Sequence, residues 1–399
     1  MGQSESTNVF LNRFRRVTTS GGYVAEIDGL RFIAITAVVA VHVAGYWTVR
    51  AGRTYPVMSS IDRGLEAFIS LGFYGVHLFF MISGFVLAMP FCKQAFADGR
   101  PVNLRNYFWR RVTRLEPPYI ITMLGFFALM PFFGKGTWSE LWPHLLASLG
   151  YVHNVVYGEG SLINNNAWTL EIEVQFYILM PILAGLLLLP PWPRRCFLVA
   201  MAVFLSLNRL WLSADAPKTI LQFGQYFLIG ILLCDAWSTS WNGRQRRFSG
   251  DIPGLLAWPL FVWVNLQYPG VIADAANPWL IAMLFVSALR GSWHGRVLSY
   301  GPIPIIGGMC YSIYLLHGRV LAAVIHGIFA KLSMTGSYAA DYCLILPVAS
   351  LAVLAVSSVF FLLIEKPCMD PEWPTKAIER LRGRHAGTGL APRTADQGS

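Results

Sequence analysis

Residues 27–46 read IDGLRFIAITAVVAVHVAGY, an apolar run long enough to cross a bilayer that nonetheless carries Arg31 and His42. Eleven helical steps separate the two, and at about 100° per step they return to within roughly 20° of one face while climbing about 16 Å. One face of one membrane helix therefore presents a fixed cation near one interface and an imidazole in the middle or far half of the bilayer. Ionisable groups at that depth are costly, and they mark a pathway or a reaction site.

The rest of the chain is of the same kind. Of its 399 residues 55% are hydrophobic and only 13% charged, and the mean hydropathy is +0.50, which excludes a soluble globular domain. The reading is all-α, a polytopic transmembrane helical bundle. Bounding spans by charge and proline gives about ten, at roughly 28–48, 67–92, 117–133, 168–189, 196–213, 219–237, 252–267, 278–290, 303–330 and 342–364. With the amino terminus inside, 22 of the 31 Lys and Arg fall on the cytoplasmic side, six outside and three (Arg31, Arg209, Arg319) within spans. That asymmetry puts both termini in the cytoplasm and explains the net charge of +10 without nucleic acid. The weakest spans are the seventh, interrupted by Pro253 and Pro259, and the eighth, whose apolar part from Pro278 to Leu289 is barely half a crossing.

The domain reading follows: a cytoplasmic segment 1–26, a membrane domain 27–367 and a basic, partly disordered tail 368–399. The first span could be misread as a signal peptide, but its polar leader is long and a cut would remove Arg31 and His42, so it is expected to stay uncleaved. The six cysteines show no C-x-x-C spacing and mostly sit in or beside apolar runs, so no disulfide framework and no metal site is expected. No GxGxxG, P-loop or tandem repeat is present.

Four further segments carry polar chemistry in or beside the apolar runs. In Arg110-Arg111-Val112-Thr113-Arg114-Leu115-Glu116-Pro117-Pro118-Tyr119, the arginines at 111 and 114 share a helical face, where two guanidinium forks suit phosphates; positive-inside anchoring is the plainer use. Trp168-Thr169-Leu170-Glu171-Ile172-Glu173-Val174-Gln175-Phe176-Tyr177 opens the fourth span. Its two glutamates point about 200° apart, so one of them at most serves a site, and Glu173 shares its face with Tyr177. In the segment from Gly75 to Phe85, Ser83 and Gly84 read as close-packing positions and His77 as a membrane histidine bonded to a neighbour. The fourth is Tyr311-Ser312-Ile313-Tyr314-Leu315-Leu316-His317 with Glu365-Lys366-Pro367, the latter an interfacial pair needing only a structural explanation.

In combination and in this order, the segments resemble the acyltransferase family three of membrane proteins. Arg31 and His42 with ten residues between them match its arginine-x10-histidine signature, and Phe79-Phe80-Met81-Ile82-Ser83-Gly84-Phe85 its FF-x-[IL]-SGF segment. Arg111 to Tyr119 is similar to its R-x-x-R-[IL]-x-P-x-Y motif, Trp168 to Tyr177 to W-[ST]-L-x-x-E-x-x-F-Y, and Tyr311 to His317 with Glu365 to Pro367 to its closing motifs. The likeness runs from Ile27 to Pro367. His77 stands where aspartate is frequent, Thr169 where serine is commoner, Val174 in place of a second glutamate, and Arg319 in place of a proline after His317.

The resemblance implies an acyl-CoA-dependent O-acyltransferase moving a short acyl group, typically acetyl, to a hydroxyl of a carbohydrate or glycolipid acceptor at a bacterial inner membrane. It implies His42 as general base with Arg31 and Glu173 beside it, Arg111, Arg114 and Tyr119 on the acyl-CoA, and Trp168 and His317 on the acceptor. No metal, no nucleic acid and no appended hydrolase-like domain are expected. A hydroxyl needs a positioned base with a pKa near the working pH, which suits a neutral histidine, and Glu173 would orient His42 if the helices meet. No Cys or Ser sits in a recognisable nucleophile motif, so direct transfer is the simpler scheme. The rival is a secondary transporter or proton-coupled channel using the same intramembrane groups, against which stands the lack of paired broken helices in two matching halves.

Overall fold

The computed structural model describes residues 13–16, 23–50, 52–97, 99–213, 216–241, 243, 245–329, 334–376 and 379. Most of the expected leader 1–26, and the tail after 376 except residue 379, lie outside the described residues.

Each of the ten expected positions holds a helix: α1 (Ala25–Gly45), α2 (Tyr74–Phe96), α3 (Leu104–Leu129), α4 (Trp168–Leu183), α5 (Pro191–Ser206), α6 (Ile220–Ala236), α7 (Ile252–Gln267), α8 (Val271–Arg290), α9 (Cys310–Gly327) and α10 (Tyr338–Phe360). Among the described residues there is no strand, only an isolated bridge between Arg247 and Gly291. Seven helical stretches are long and apolar enough to cross a membrane: Ala25–Val49, Ser60–Phe96, Leu104–Phe133, Asn165–Leu188, Ile220–Trp241, Val271–Arg290 and Tyr338–Cys368. The protein is an all-α membrane protein. Helices α5 and α7, with 16 residues each, rise about 24 Å. That falls short of a hydrocarbon core of about 30 Å.

Two boundaries read from proline are corrected. Helix α3 begins at Leu104, so Arg110 to Glu116 are already helical and the helix continues through Pro117 and Pro118. Helix α8 begins at Val271 and accommodates Pro278 as its eighth residue, in the third turn, giving 20 residues where half a crossing was expected. A proline removes one backbone donor; near a helix start that donor has little or nothing to lose, and deeper in a membrane bundle neighbouring groups compensate.

Helix α1 lies at the centre, packed on α2, α9, α10 and the short helix Ile303–Gly308. Helices α2 and α6 meet through glycines on both sides: a Cβ on Gly84 would collide with the Phe227 carbonyl, and one on Gly230 with the Met81 carbonyl. Gly84 is thus a packing position, as its size suggested. The two ends of the membrane domain meet at one face, where Lys366 Nζ donates to the Arg13 carbonyl and Trp373 Nε1 to the Thr113 carbonyl (2.9 Å). Buried charges near this basic face are paired: Asp235 with Arg194 and Arg195, and Glu26 with Arg246. Asp251, fully buried, caps the short helix Ser292–Leu298 by accepting from the backbone N–H groups of Ser292, Trp293 and His294 and from the His294 ring. Burial pushes its carboxyl upward, but these hydrogen bonds outweigh it and hold the pKa at about 2.

Candidate active site

A cavity of about 840 Å³ penetrates the bundle from the basic face. Seven cations line it, Arg16, Arg31, Lys93, Arg100, Arg110, Arg111 and Arg114, against two acids, Glu173 and Glu365. Its deep end is closed by Val76, Phe79, Thr169 and Tyr314. The chain builds it chiefly from α1, α2, α3, α4 and α9, each of which turns some of its polar residues inward.

On α1 the wall is Arg31, whose Nη1 donates to Asp28 one turn earlier (2.6 Å); Asp28 also pairs with Arg16 Nε at 2.9 Å. One buried carboxylate thus holds two guanidinium groups. Burial and the neighbouring Arg31 push the Arg16 pKa down to about 10 against the opposing pull of Asp28, so it remains cationic at neutral pH. On α3, Arg111 lies over the Tyr107 ring (3.5 Å to the centroid) and donates through Nη1 to the Tyr107 carbonyl at 2.6 Å. The Nε donors of Arg111 and Arg114 are buried and have no hydrogen-bond partner among the described residues. Buried guanidinium donors without partners are rare in folded proteins, and anionic oxygens would satisfy them.

The two glutamates of α4 divide as the helical period requires. Glu173 faces the cavity and accepts from Ser83 Oγ at 2.7 Å, whereas Glu171 turns away, fully buried, and accepts from the Asn154 N–H at 2.9 Å. Ser83 therefore serves the site as well as the close packing read from its size. Glu365 is not a plain interfacial residue: it is buried, lines the cavity and accepts from both the backbone N–H (3.0 Å) and the hydroxyl of Ser312.

Beyond the deep end lie two histidines. The Tyr314 ring separates them from the cavity, its centroid 6.2 Å from Phe79 and 5.7 Å from His317. Its hydroxyl is fixed by Thr169 Oγ1 (2.6 Å) and donates to the Asn166 carbonyl at 3.0 Å. His317 is fully buried; its Nε2 lies 3.2 Å from His42 Nδ1 and 3.3 Å from Asn166 Nδ2. His42 Nδ1 also meets the Val38 carbonyl at 2.9 Å. At Nδ1 the side-chain contact of His42 is His317, which α9, packed directly on α1, supplies, while Glu173, expected to orient His42, faces the cavity and accepts from Ser83.

The candidate residues thus fall into three groups. Arg31, Glu173, Arg111 and Arg114 converge on the cavity, and His42 and His317 form a pair just past its end. Tyr119 and Trp168 stand outside the cavity lining. Tyr119 is buried with its hydroxyl donating to the Ser148 carbonyl (2.8 Å) and its ring stacked on Tyr151, and Trp168 packs on Phe223 with Lys218 Nζ 4.5 Å from its ring centroid. The His77 ring packs among Tyr74, Tyr226 and Phe223, with the Phe73 backbone one turn earlier as its polar neighbour. Arg319, within α9, reaches back to the Leu162 (3.1 Å) and Ile163 (2.5 Å) carbonyls and ties down the loop that carries Asn166. The sequence reading did not single out Arg16, Asp28 or Asn166 as site residues; the run Asn164-Asn165-Asn166 just before Trp168 was the available signal for the last. Among the described residues no group of three or more potential metal ligands occurs.

Comparison with known proteins agrees with this layout. A family model described as an acyltransferase domain matches residues 24–364. Relatives include the peptidoglycan O-acetyltransferase OatA of Listeria monocytogenes, 25% identical over 345 residues that cover 77% of this chain and 51% of that protein. A provisionally named peptidoglycan O-acetyltransferase of Bacillus subtilis, YrhL, is 24% identical over 75% of this chain and 49% of its own length. A provisionally named O-acetyltransferase of Staphylococcus aureus is 24% identical over 76% of this chain and 51% of its own length. The chain spans about half the length of these relatives, and no solved structure matches it. With matched residues running from the start of α1 to the end of α10 and the arginine–histidine helix at the centre, the chain belongs to acyltransferase family three.

Proposed function

We propose that the protein transfers a short acyl group, acetyl in the first instance, from cytosolic acyl-CoA to a hydroxyl of an extracytoplasmic carbohydrate, with His42 as general base. The observation that carries this reading is the cation-lined cavity with unsatisfied guanidinium donors on Arg111 and Arg114, ending one aromatic ring from the His42–His317 pair. Polyanionic CoA suits such a cavity: Arg111 and Arg114 would hold its phosphates, and Arg31, deeper in, the thioester end. The basic face would be cytoplasmic, both termini with it, and α5, α7 and α9 would complete ten crossings of a bacterial inner membrane.

In the transfer, the acceptor hydroxyl attacks the thioester carbonyl as His42 takes its proton. The new C–O bond forms, the C–S bond breaks, and the imidazolium returns the proton to the departing thiolate. Tyr314 must turn aside, or the thioester pass beside its ring, for the two reactants to meet. Because two of the relatives are named for peptidoglycan, a peptidoglycan glycan is the first acceptor class to try, and glycolipid glycans the next. A transporter reading gains nothing here, since the relatives described above are named for O-acetyl transfer.

The test is incubation of the protein in nanodiscs with labelled acetyl-CoA and envelope glycan, following thiol release and label transfer. Label on glycan from the wild type and none from His42→Ala is the expected result. Thiol release that persists in His42→Ala would overturn the base assignment, and solute flux without consumption of acyl-CoA would overturn the enzyme reading.

A further inference from the structure

The contacts at both ring nitrogens of His317 and at Nδ1 of His42 admit one consistent set of donors and acceptors. His317 Nδ1 faces two carbonyls, Ile313 at 3.1 Å and Tyr314 at 2.9 Å, and carbonyls only accept, so Nδ1 carries the proton. In a neutral ring Nε2 is then an acceptor, and Asn166 must present its NH2 to it. His42 Nδ1 likewise faces the Val38 carbonyl and so donates, to that oxygen and to the lone pair of His317 Nε2. The neutral His42 ring is left with its lone pair on Nε2.

We infer that His317, tethered by Asn166, is a positioning residue that fixes the Nδ1–H tautomer of His42 and so places the basic lone pair on Nε2. This deepens the proposed function and rests on His42 being the base. When Nε2 takes the acceptor proton, the charge that develops on the ring is met at Nδ1 by two acceptors already in place, the Val38 carbonyl and His317 Nε2. A neutral histidine at Nδ1 takes here the orienting role that a carboxylate takes in a hydrolase triad. The backbone of α9 locks His317 itself, because its Nδ1 is turned onto carbonyls three and four residues earlier in the same helix.

The experiment is a pH profile of kcat/KM for thiol release by the full chain in nanodiscs, comparing wild type, His42→Ala, His317→Leu and His317→Gln. His317→Leu removes the acceptor. Its kcat should fall about 10²-fold or more with the donor KM little changed, and the acid limb of the profile should move to lower pH because the His42 imidazolium has lost a stabilising partner. His317→Gln, whose amide oxygen can accept from Nδ1–H, should recover at least about tenfold of the lost kcat. A leucine variant with an unshifted acid limb, or a glutamine variant no better than leucine, would overturn the inference while leaving His42 as base. Activity in His42→Ala would instead overturn the reading beneath it. Histidine-selective 15N NMR of the wild type, assigned by the signals lost in His42→Ala, reads the tautomer directly even where a variant fails to fold: Nδ1–H is expected, and Nε2–H would refute the inference.

Discussion

The cavity and the histidine pair are both polar, both inside the bundle and separated by a single tyrosine ring, yet they are satisfied in opposite ways. The cavity concentrates seven cations against two acids and leaves two buried guanidinium nitrogens without partners among the described residues. The pair beyond it holds His317 against neutral groups, two carbonyls, an amide and the other imidazole, with hydrogen bonds arranged in one consistent direction. An excess of unsatisfied positive charge is what a polyanionic ligand completes; a neutral, saturated network is what keeps an imidazole uncharged and oriented. On the function proposed above, the difference separates binding from proton transfer within one helix, since α1 contributes Arg31 to the first region and His42 to the second.

The sharpest way to break that division is to delete the base. His42→Ala should lower kcat by about 10³-fold or more with donor affinity retained, measured by thiol release beside acetyl-CoA binding to the same sample. If binding disappears with turnover, the two regions are not separate. On the cavity side, Arg111→Ala and Arg114→Ala should each raise the donor KM by about 10- to 100-fold, the worth of one or two charge-assisted hydrogen bonds, with kcat changed far less. Steady-state kinetics at several ionic strengths would check this, and the wild-type KM should itself rise with salt. A fall in kcat at constant KM would move these arginines into the chemistry.

Glu173→Gln should change kcat by less than about tenfold and leave the acid limb of the pH profile where it is, because its carboxylate bonds Ser83 and not the histidines. A shifted limb would restore a link between Glu173 and His42. The smallest effect lies away from both regions. Asp251→Asn should cost about 1–2 kcal/mol of stability with activity per folded molecule unchanged, measured by thermal unfolding in detergent. Since the folded pKa of about 2 lies below the ordinary carboxylate value, this contribution is present above pH 4 to 5 and fades as pH falls towards 2. Wild type and variant should therefore converge in acid.

The helices were legible because hydropathy and helical period are local properties. Ten helix positions, the shared face of Arg31 and His42, and the opposed faces of Glu171 and Glu173 all follow from spacing along the chain. The two misplaced boundaries, at Leu104 and Val271, came from treating prolines as stops, whereas a helix packed in a bundle tolerates them.

What the sequence determined alone was the class of the molecule and the inventory of its site, an all-α membrane protein with arginines, histidines and glutamates in apolar helices in a family's order. Which of these meet was decided only by tertiary packing. His42 and His317 are 275 residues apart and come together because α9 lies against α1. Arg319 and Asn166 likewise act on that pair only through a loop folded back onto α9. Periodicity fixes the direction of a side chain relative to its own helix axis, but the identity of the facing helix depends on how all of the helices pack at once.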